Sequence, residues 1–296
     1  MAERLVLPGP ASEELGRSVA AKLEVSILPA EFRVFTDGES KFTCDQNVSG
    51  KTVFIVQSTY HPVDMHLFQL LLASHKLSQD GAKVVAVVPY LSYARQDKEF
   101  LPGEAVTLAF VAHLMRSSGV ARLATVDIHS AQGLSLFSFP IYSVSAVPSM
   151  VDYVRNNLTL ENPIVISPDA GASKRTEAFA QLYGVKSLQL SKTRDRSTGE
   201  VKIKHEPLDV KGRDVLFLDE VITTGATIRA ATKAVLDQGA KSASAICTHG
   251  VFAGDTIEKL EKAGIKNIVC SNTIPTRFSK VDVSEALASH LRTLED

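Results

Sequence analysis

Cysteine is scarce in this chain of 296 residues, which carries only Cys44, Cys247 and Cys270. An odd number without CxxC spacing suggests neither a disulfide framework nor a thiolate metal cage, and it points to a reducing, cytoplasmic setting. An excess of charge of either sign is lacking too, with 32 basic residues against 33 acidic ones. No basic field is present to hold a nucleic-acid backbone or an anionic membrane, so an anionic ligand needs a local site. Long apolar runs are also missing: the first residues mix Glu3, Arg4, Glu13 and Glu14 with short apolar pieces. That pattern does not fit a signal peptide or a membrane span, and the expectation is a soluble, unexported protein.

What is present is a large apolar fraction, 45% of the residues, in a chain long enough for two domains of about 150 residues each. Short β-branched or apolar runs recur at Val53–Val56, Val84–Val88, Leu123–Val126, Ile164–Ile166, Val215–Leu218, Ala243–Cys247 and Ile268–Cys270. They read as buried strands. Between them lie stretches of helical period at Met65–Leu77, Val106–Met115, Ser173–Tyr183, Thr227–Leu236 and Thr256–Ala263. Alternating strands and helices imply mainly parallel sheets flanked by helices, an α/β fold. Asp64 is a candidate cap for the first helix, and Gly81, Gly119, Gly239 and Gly264 sit where helix ends need a residue tolerant of positive φ.

An internal repeat gives the domain plan. Val48-Ser49-Gly50-Lys51-Thr52 before Val53–Val56 resembles Val210-Lys211-Gly212-Arg213-Asp214 before Val215–Leu218. Asp80-Gly81-Ala82-Lys83 before Val84–Val88 is echoed by Gln238-Gly239-Ala240-Lys241 before Ser242–Cys247. Two similar α/β domains are expected, 1–146 and 147–296. The copies differ after the repeated strand. The first has Gln57-Ser58-Thr59-Tyr60-His61-Pro62, and the second has Asp219-Glu220-Val221-Ile222-Thr223-Thr224-Gly225-Ala226-Thr227.

In the second copy, paired carboxylates end a strand and a hydroxyl-rich turn opens a helix. Amides at that helix start, with the hydroxyls of Thr223, Thr224 and Thr227, suit a phosphate dianion. Asp219 and Glu220 can accept hydrogen bonds from vicinal sugar hydroxyls. A 5-phosphorylated ribose satisfies both halves of the motif, while an ordinary capped helix start is the plainer alternative. Arg95-Gln96-Asp97 follows another strand end, where ligands bind in open α/β sheets, though taken alone these residues read more readily as a solvated charged loop. Asp127-Ile128-His129 and Pro168-Asp169-Ala170-Gly171 also end strands. Lys192-Thr193-Arg194 opens a polar stretch through Gly199 that reads as a loop or hairpin tip, and Phe35–Glu39 reads as a turn.

These segments, in this order and over nearly the whole chain, resemble the phosphoribosyltransferase fold and, more narrowly, the ribose-phosphate pyrophosphokinases. The resemblance implies two tandem type I phosphoribosyltransferase-like domains. It places ATP on Phe35, Asp37, Glu39, Arg95, Gln96, Asp97 and His129, with the Phe35–Glu39 loop reaching into a neighbouring subunit of a homo-oligomer. Ribose 5-phosphate falls to Asp219, Glu220, Thr223, Thr224, Gly225, Ala226 and Thr227, and Mg2+ to His129 and Asp169, both facing one cleft. Lys192 and Arg194 become the catalytic cations of a mobile loop. No nucleic-acid or membrane partner is implied.

The chain departs from the family pattern in places. Glu220 stands where many relatives have a second aspartate, and Ala226 where a second glycine is common. Ser130–Leu136 is shorter than the common bacterial continuation, and Lys98–Glu104 lacks the usual basic run, closer to archaeal-type members. Two rivals stay open: a phosphoribosyltransferase that consumes the activated sugar, and a non-catalytic regulatory homologue.

Overall fold

In the computed structural model, residues 2–190, 192–194, 201–203 and 207–294 are described. In chain order the elements are β1 (Arg4–Pro8), α1 (Glu13–Leu23), β2 (Ser26–Ile27), β3 (Glu31–Val34), β4 (Ser40–Thr43), β5 (Thr52–Val56), α2 (Val63–Gln79), β6 (Lys83–Val88), α3 (Thr107–Ser117), β7 (Val120–Val126), α4 (Ala131–Ser135) and β8 (Ile141–Val144). They continue as α5 (Val147–Asn157), β9 (Ile164–Ser167), α6 (Ser173–Tyr183), β10 (Ser187–Gln189), β11 (Lys192–Arg194), β12 (Val201–Ile203), β13 (Asp214–Ile222), α7 (Ala226–Asp237), β14 (Ser242–Gly250), α8 (Thr256–Lys262), β15 (Ile265–Ser271), β16 (Ser279–Val281) and α9 (Ser284–Arg292).

The chain divides into two compact units. One comprises Met1–Ser145, Thr273–Pro275 and Val283–Asp296, and the other Ala146–Asn272 and Thr276–Asp282. The segment containing α9 therefore packs with the first unit, whereas reading the sequence as two contiguous halves had put it in the second. Inside the first unit, α9 lies along α1. The apolar residues Leu287, Ala288 and Leu291 of α9 and Leu15, Val19 and Ala20 of α1 are buried, and the ring of Tyr142 of β8 packs against that of His290, tilted, with centres 4.8 Å apart.

The first unit's sheet has strand order β2-β1-β5-β6-β7-β8, with parallel neighbours throughout. Alternate residues such as Val53, Ile55, Val84 and Ala86 pack with Leu70, Leu77, Leu108 and Met115 of α2 and α3. Residues pointing the other way, Val6, Phe54 and Val85, are buried too. Burial on both faces is why these strands read as unbroken apolar runs rather than as alternation. A separate antiparallel hairpin, β3–β4, packs on α2 and is held by Phe32 against Phe42 at 4.8 Å.

The second unit repeats the plan. Its sheet runs β10-β9-β13-β14-β15-β16, again all parallel. Ile164, Val215, Phe217 and Ala245 pack with Ile228, Ala231 and Val235 of α7 and Leu260 of α8. The repeat seen in the sequence is a repeat of backbone hydrogen bonds. Gly50 N–H donates to the Gly81 carbonyl at 3.0 Å, and Gly212 N–H to the Gly239 carbonyl at 2.8 Å. Lys83 N–H reaches the Lys51 carbonyl at 2.8 Å, as Lys241 N–H reaches that of Arg213 at 2.8 Å. Gly81 and Gly239 share left-handed backbone, φ 86° and 85°, which explains glycine at both places. Asp64 is not the cap of α2: Pro62 holds that position and Asp64 lies in the first turn.

Candidate functional site

In the second unit, β13 runs on past its apolar core through Asp219 and Glu220 to Ile222, and α7 starts four residues later. Gly225 joins them with φ 63° and ψ 10°. This left-handed step turns the chain sharply, so the residues around it crowd into one concave turn. A Cβ built at Gly225 would come within 3.1 Å of Leu260 Cδ2 and 3.2 Å of Thr256 Cγ2. Ala226 is already helical, so the second glycine common in relatives is not needed for this geometry. Gly225→Ala should cost roughly 1–2 kcal/mol from left-handed strain alone. Urea denaturation measures it, and an unchanged midpoint would contradict this account of the turn.

Asp219, Glu220 and Asp169 form a cluster of negative charge within this unit. Asp219 Oδ1 accepts the Glu220 N–H at 2.7 Å. Burial first, then the Asp169 carboxylate and that of Glu220, push the Asp219 carboxyl from 3.8 up to about 6. Arg175 on α6 answers part of this charge: its Nη2 lies 3.6 Å from Glu220 Oε2, and both side chains are largely buried. Asp169 follows β9, and its Oδ1 accepts the N–H groups of Gly171 at 2.9 Å and Ala172 at 3.3 Å, fixing the entry to α6. Thr223 and Thr227 are half-buried and Thr224 is exposed.

Arg175 was not singled out from the sequence, although a signal was there. Lys174 and Arg175 stand in the first turn of a helix, where the macrodipole disfavours cations. Such a misfit is explained by an acidic partner, here Glu220. Lys192 and Arg194 lie on β11, which pairs antiparallel with β12, and β12 runs beside α7. Their side chains, and the rest of the expected loop at 195–200, lie outside the described residues.

In the first unit, the loop after β6 holds Arg95 and Gln96 exposed and Asp97 buried. Tyr93, at φ 62°, donates its hydroxyl to Asp64 Oδ1 on α2, tying this loop to a helix. Gln96 Oε1 accepts the Thr107 hydroxyl at 2.6 Å. Asp97 accepts the Ser130 hydroxyl, and Ser130 in turn accepts the Gly133 N–H at 3.0 Å to cap α4. Asp97 thus braces the turn that carries His129, which is exposed next to the buried, left-handed Asp127. The structure brings Arg95, Gln96, Asp97 and His129 into one loop system of this unit.

Phe35, Asp37 and Glu39 form the tip of the β3–β4 hairpin. Phe35 N–H donates to the Glu39 carbonyl at 2.8 Å, and Asp37 Oδ1 accepts the Glu39 N–H at 3.1 Å. The tip is exposed, and the Arg33 guanidinium sits 4.8 Å from the centre of the Phe35 ring. Among the described residues, no group of three or more His, Cys, Asp or Glu is arranged to hold a metal ion, and no helix is long and apolar enough to cross a membrane.

Residues 5–119 match the N-terminal domain of ribose phosphate pyrophosphokinase, and residues 186–294 match the phosphoribosyl synthetase-associated domain. Ribose-phosphate pyrophosphokinase of Sulfurisphaera tokodaii is 35% identical, over 96% of this chain and 99% of its own. The same-named protein of Methanopyrus kandleri is 35% identical over 98% and 99%, and that of Aquifex aeolicus 32% over 94% and 90%. The crystal structure of phosphoribosylpyrophosphate synthetase from Mycobacterium smegmatis superposes with a TM-score of 0.87 at 29% identity, covering 98% of both chains. Identity above 30% across almost the full length of several such enzymes, on the same α/β fold, establishes that this chain belongs to the ribose-phosphate pyrophosphokinase family.

Proposed function

We propose that the chain transfers the β,γ-diphosphoryl group of ATP to the anomeric hydroxyl of ribose 5-phosphate. The anomeric oxygen attacks the β-phosphorus in line, the bond from that phosphorus to the α–β bridging oxygen breaks, and AMP leaves. The hydroxyl proton is lost to solvent, and 5-phospho-α-D-ribose 1-diphosphate is formed. The observation that carries this reading is the turn at Gly225, where helix-start amides and threonine hydroxyls lie within a few residues of the Asp219 and Glu220 carboxylates. Amides and hydroxyls suit the 5-phosphate, and carboxylates suit the ribose hydroxyls.

ATP is assigned to Arg95, Gln96, Asp97 and His129, with Phe35, Asp37 and Glu39 supplied by a neighbouring copy in a homo-oligomer. An exposed aromatic followed by two carboxylates at a hairpin tip suits an adenine ring and its amine. Lys192 and Arg194 are assigned to the charge that develops on the transferred group and the departing AMP. Phosphoryl transfer is accelerated chiefly by alignment and charge stabilisation, so no covalent intermediate is required.

Magnesium belongs to this reading. Asp169 offers hard oxygen, and the Asp169 and Glu220 carboxylates, which add to burial in raising the Asp219 carboxyl to about 6, make a negative field that a cation relieves. His129 and Asp169 would hold the ion, with phosphate oxygens and water completing its shell, as Mg2+ prefers. It would supply neutralisation of the triphosphate. The cytoplasmic setting is also part of the proposal, and Cys44, Cys247 and Cys270 are free, buried thiols.

The test is direct. Purified protein given ATP, Mg2+ and ribose 5-phosphate, with no base, should release AMP in step with sugar consumption. Activity only with phosphoribosyl pyrophosphate and a base would favour a phosphoribosyltransferase instead, and nucleotide binding without AMP release would favour a regulatory homologue.

A further inference from the structure

The turn at Gly225 is clamped from behind by the segment between β14 and α8. Four donors converge there on two successive carbonyls. The Ile222 carbonyl accepts the N–H groups of Val251 at 3.1 Å and Phe252 at 3.0 Å. The Thr223 carbonyl accepts the Ala253 N–H at 2.9 Å and the Thr256 hydroxyl at 2.8 Å. The same hydroxyl lies 2.6 Å from the Ala253 carbonyl, so its one hydrogen is shared between the two oxygens. Thr256 is fully buried, and its methyl group and Leu260 fill the space against Gly225. Phe252 adopts φ 43° to let the strap make these bonds.

Peptide geometry gives this clamp a functional meaning. In a trans peptide the carbonyl and the following N–H point in opposite directions, and the one cis bond among the described residues is His61–Pro62. Pinning the Ile222 and Thr223 carbonyls toward the strap therefore aims the N–H groups of Thr223 and Thr224 away from it. We infer that residues 251–256, with Thr256 as the side-chain member, position the anion-binding amides of the turn. Thr256 is thus a positioning residue for the sugar phosphate without touching it. This rests on the reading of the turn as the ribose 5-phosphate site.

A purely architectural Thr256 would affect folding or both substrates alike, whereas a positioning Thr256 affects one. Thr256→Val keeps the methyl packed on Gly225 and puts a second methyl in place of the hydroxyl. The KM for ribose 5-phosphate should rise roughly three- to tenfold, the loss expected for one hydrogen bond, with kcat and the KM for ATP little changed. Thr256→Ser should restore wild-type values. If Thr256→Val does not fold, Thr256→Ala, which removes both the hydroxyl and the methyl without adding bulk, is measured in its place against the same outcomes, with Thr256→Ser as its hydroxyl-bearing reference.

An unchanged KM for ribose 5-phosphate, or an equal loss in both substrates and kcat, overturns the inference. Calorimetric titration of the wild-type protein with ribose 5-phosphate separates the two layers. Wild-type protein that neither binds the sugar phosphate nor releases AMP sinks the site assignment and the strap's role together. Wild-type binding that the hydroxyl-free variant leaves intact sinks the strap's role alone.

Discussion

Lys192→Ala is expected to lower kcat about 10³-fold, the scale on which a single cation acts on a transferring phosphoryl group. Ribose 5-phosphate binding should survive, because the sugar phosphate is assigned to 219–227 and not to β11. The paired measurement is AMP release at saturating substrates together with calorimetric titration of ribose 5-phosphate. A charge that stabilises only the transition state lowers kcat and kcat/KM alike. Near-normal turnover would remove Lys192 from the mechanism, and loss of sugar-phosphate affinity would reassign it to substrate binding. Arg194 lies two residues along the same strand.

Asp219→Asn should have the second largest effect, and it should move activity and stability in opposite directions. Losing a carboxylate acceptor for a ribose hydroxyl should lower kcat/KM for ribose 5-phosphate roughly 10- to 100-fold. The upward shift of this carboxyl gives the sign of the stability change. Because the folded carboxyl titrates near 6 and the ordinary value is 3.8, the native state holds a proton between those values that the unfolded chain has released. Stability from the protonated form is full below about pH 3.8 and is lost as pH rises through about 6. At pH 8 the ionised group therefore costs stability, and asparagine should recover on the order of 2 kcal/mol. Urea denaturation in EDTA at pH 8 and at pH 4.5 checks this. The gain should shrink at the lower pH, and a variant less stable at pH 8 would refute the electrostatic account.

The central strands were legible because they are buried on both faces. Thr52–Val56, Lys83–Val88 and Ile164–Ser167 lie within a residue of the apolar runs that announced them. β13 and β14 are longer than their runs, since both carry on in polar residues: Asp219 and Glu220 of β13 reach the candidate site, and Thr248 and His249 of β14 stay buried. Elements whose composition is mixed escaped notice. α1 covers the sheet with a narrow apolar stripe of Leu15, Val19 and Ala20 among charged residues. The two-residue β2 has no period to read.

The candidate site divides in a similar way. The Gly225 turn was legible because local sequence builds it. Arg175 and Thr256 were not, because each acts through a partner distant in sequence, Glu220 and Thr223 respectively. Asp97 shows the opposite case. Its position after a strand suggested a ligand contact, and tertiary structure adds a role that spacing could not reveal, since its carboxylate holds Ser130 and so the turn bearing His129.

The return of α9 to the first unit bears on how the chain is made. During synthesis, residues 1–145 leave the ribosome long before α9 does, and until then the apolar side of α1 has no helix to lie against. The guanidinium of Arg292 reaches the Lys22 carbonyl, and that of Arg4 the Leu294 carbonyl, so α1 and β1 are completed by residues 270 and 290 positions later in the chain. Folding one unit at a time, as many multidomain chains do during translation, is therefore incomplete here. The first unit's contacts are complete only once α9 has been made.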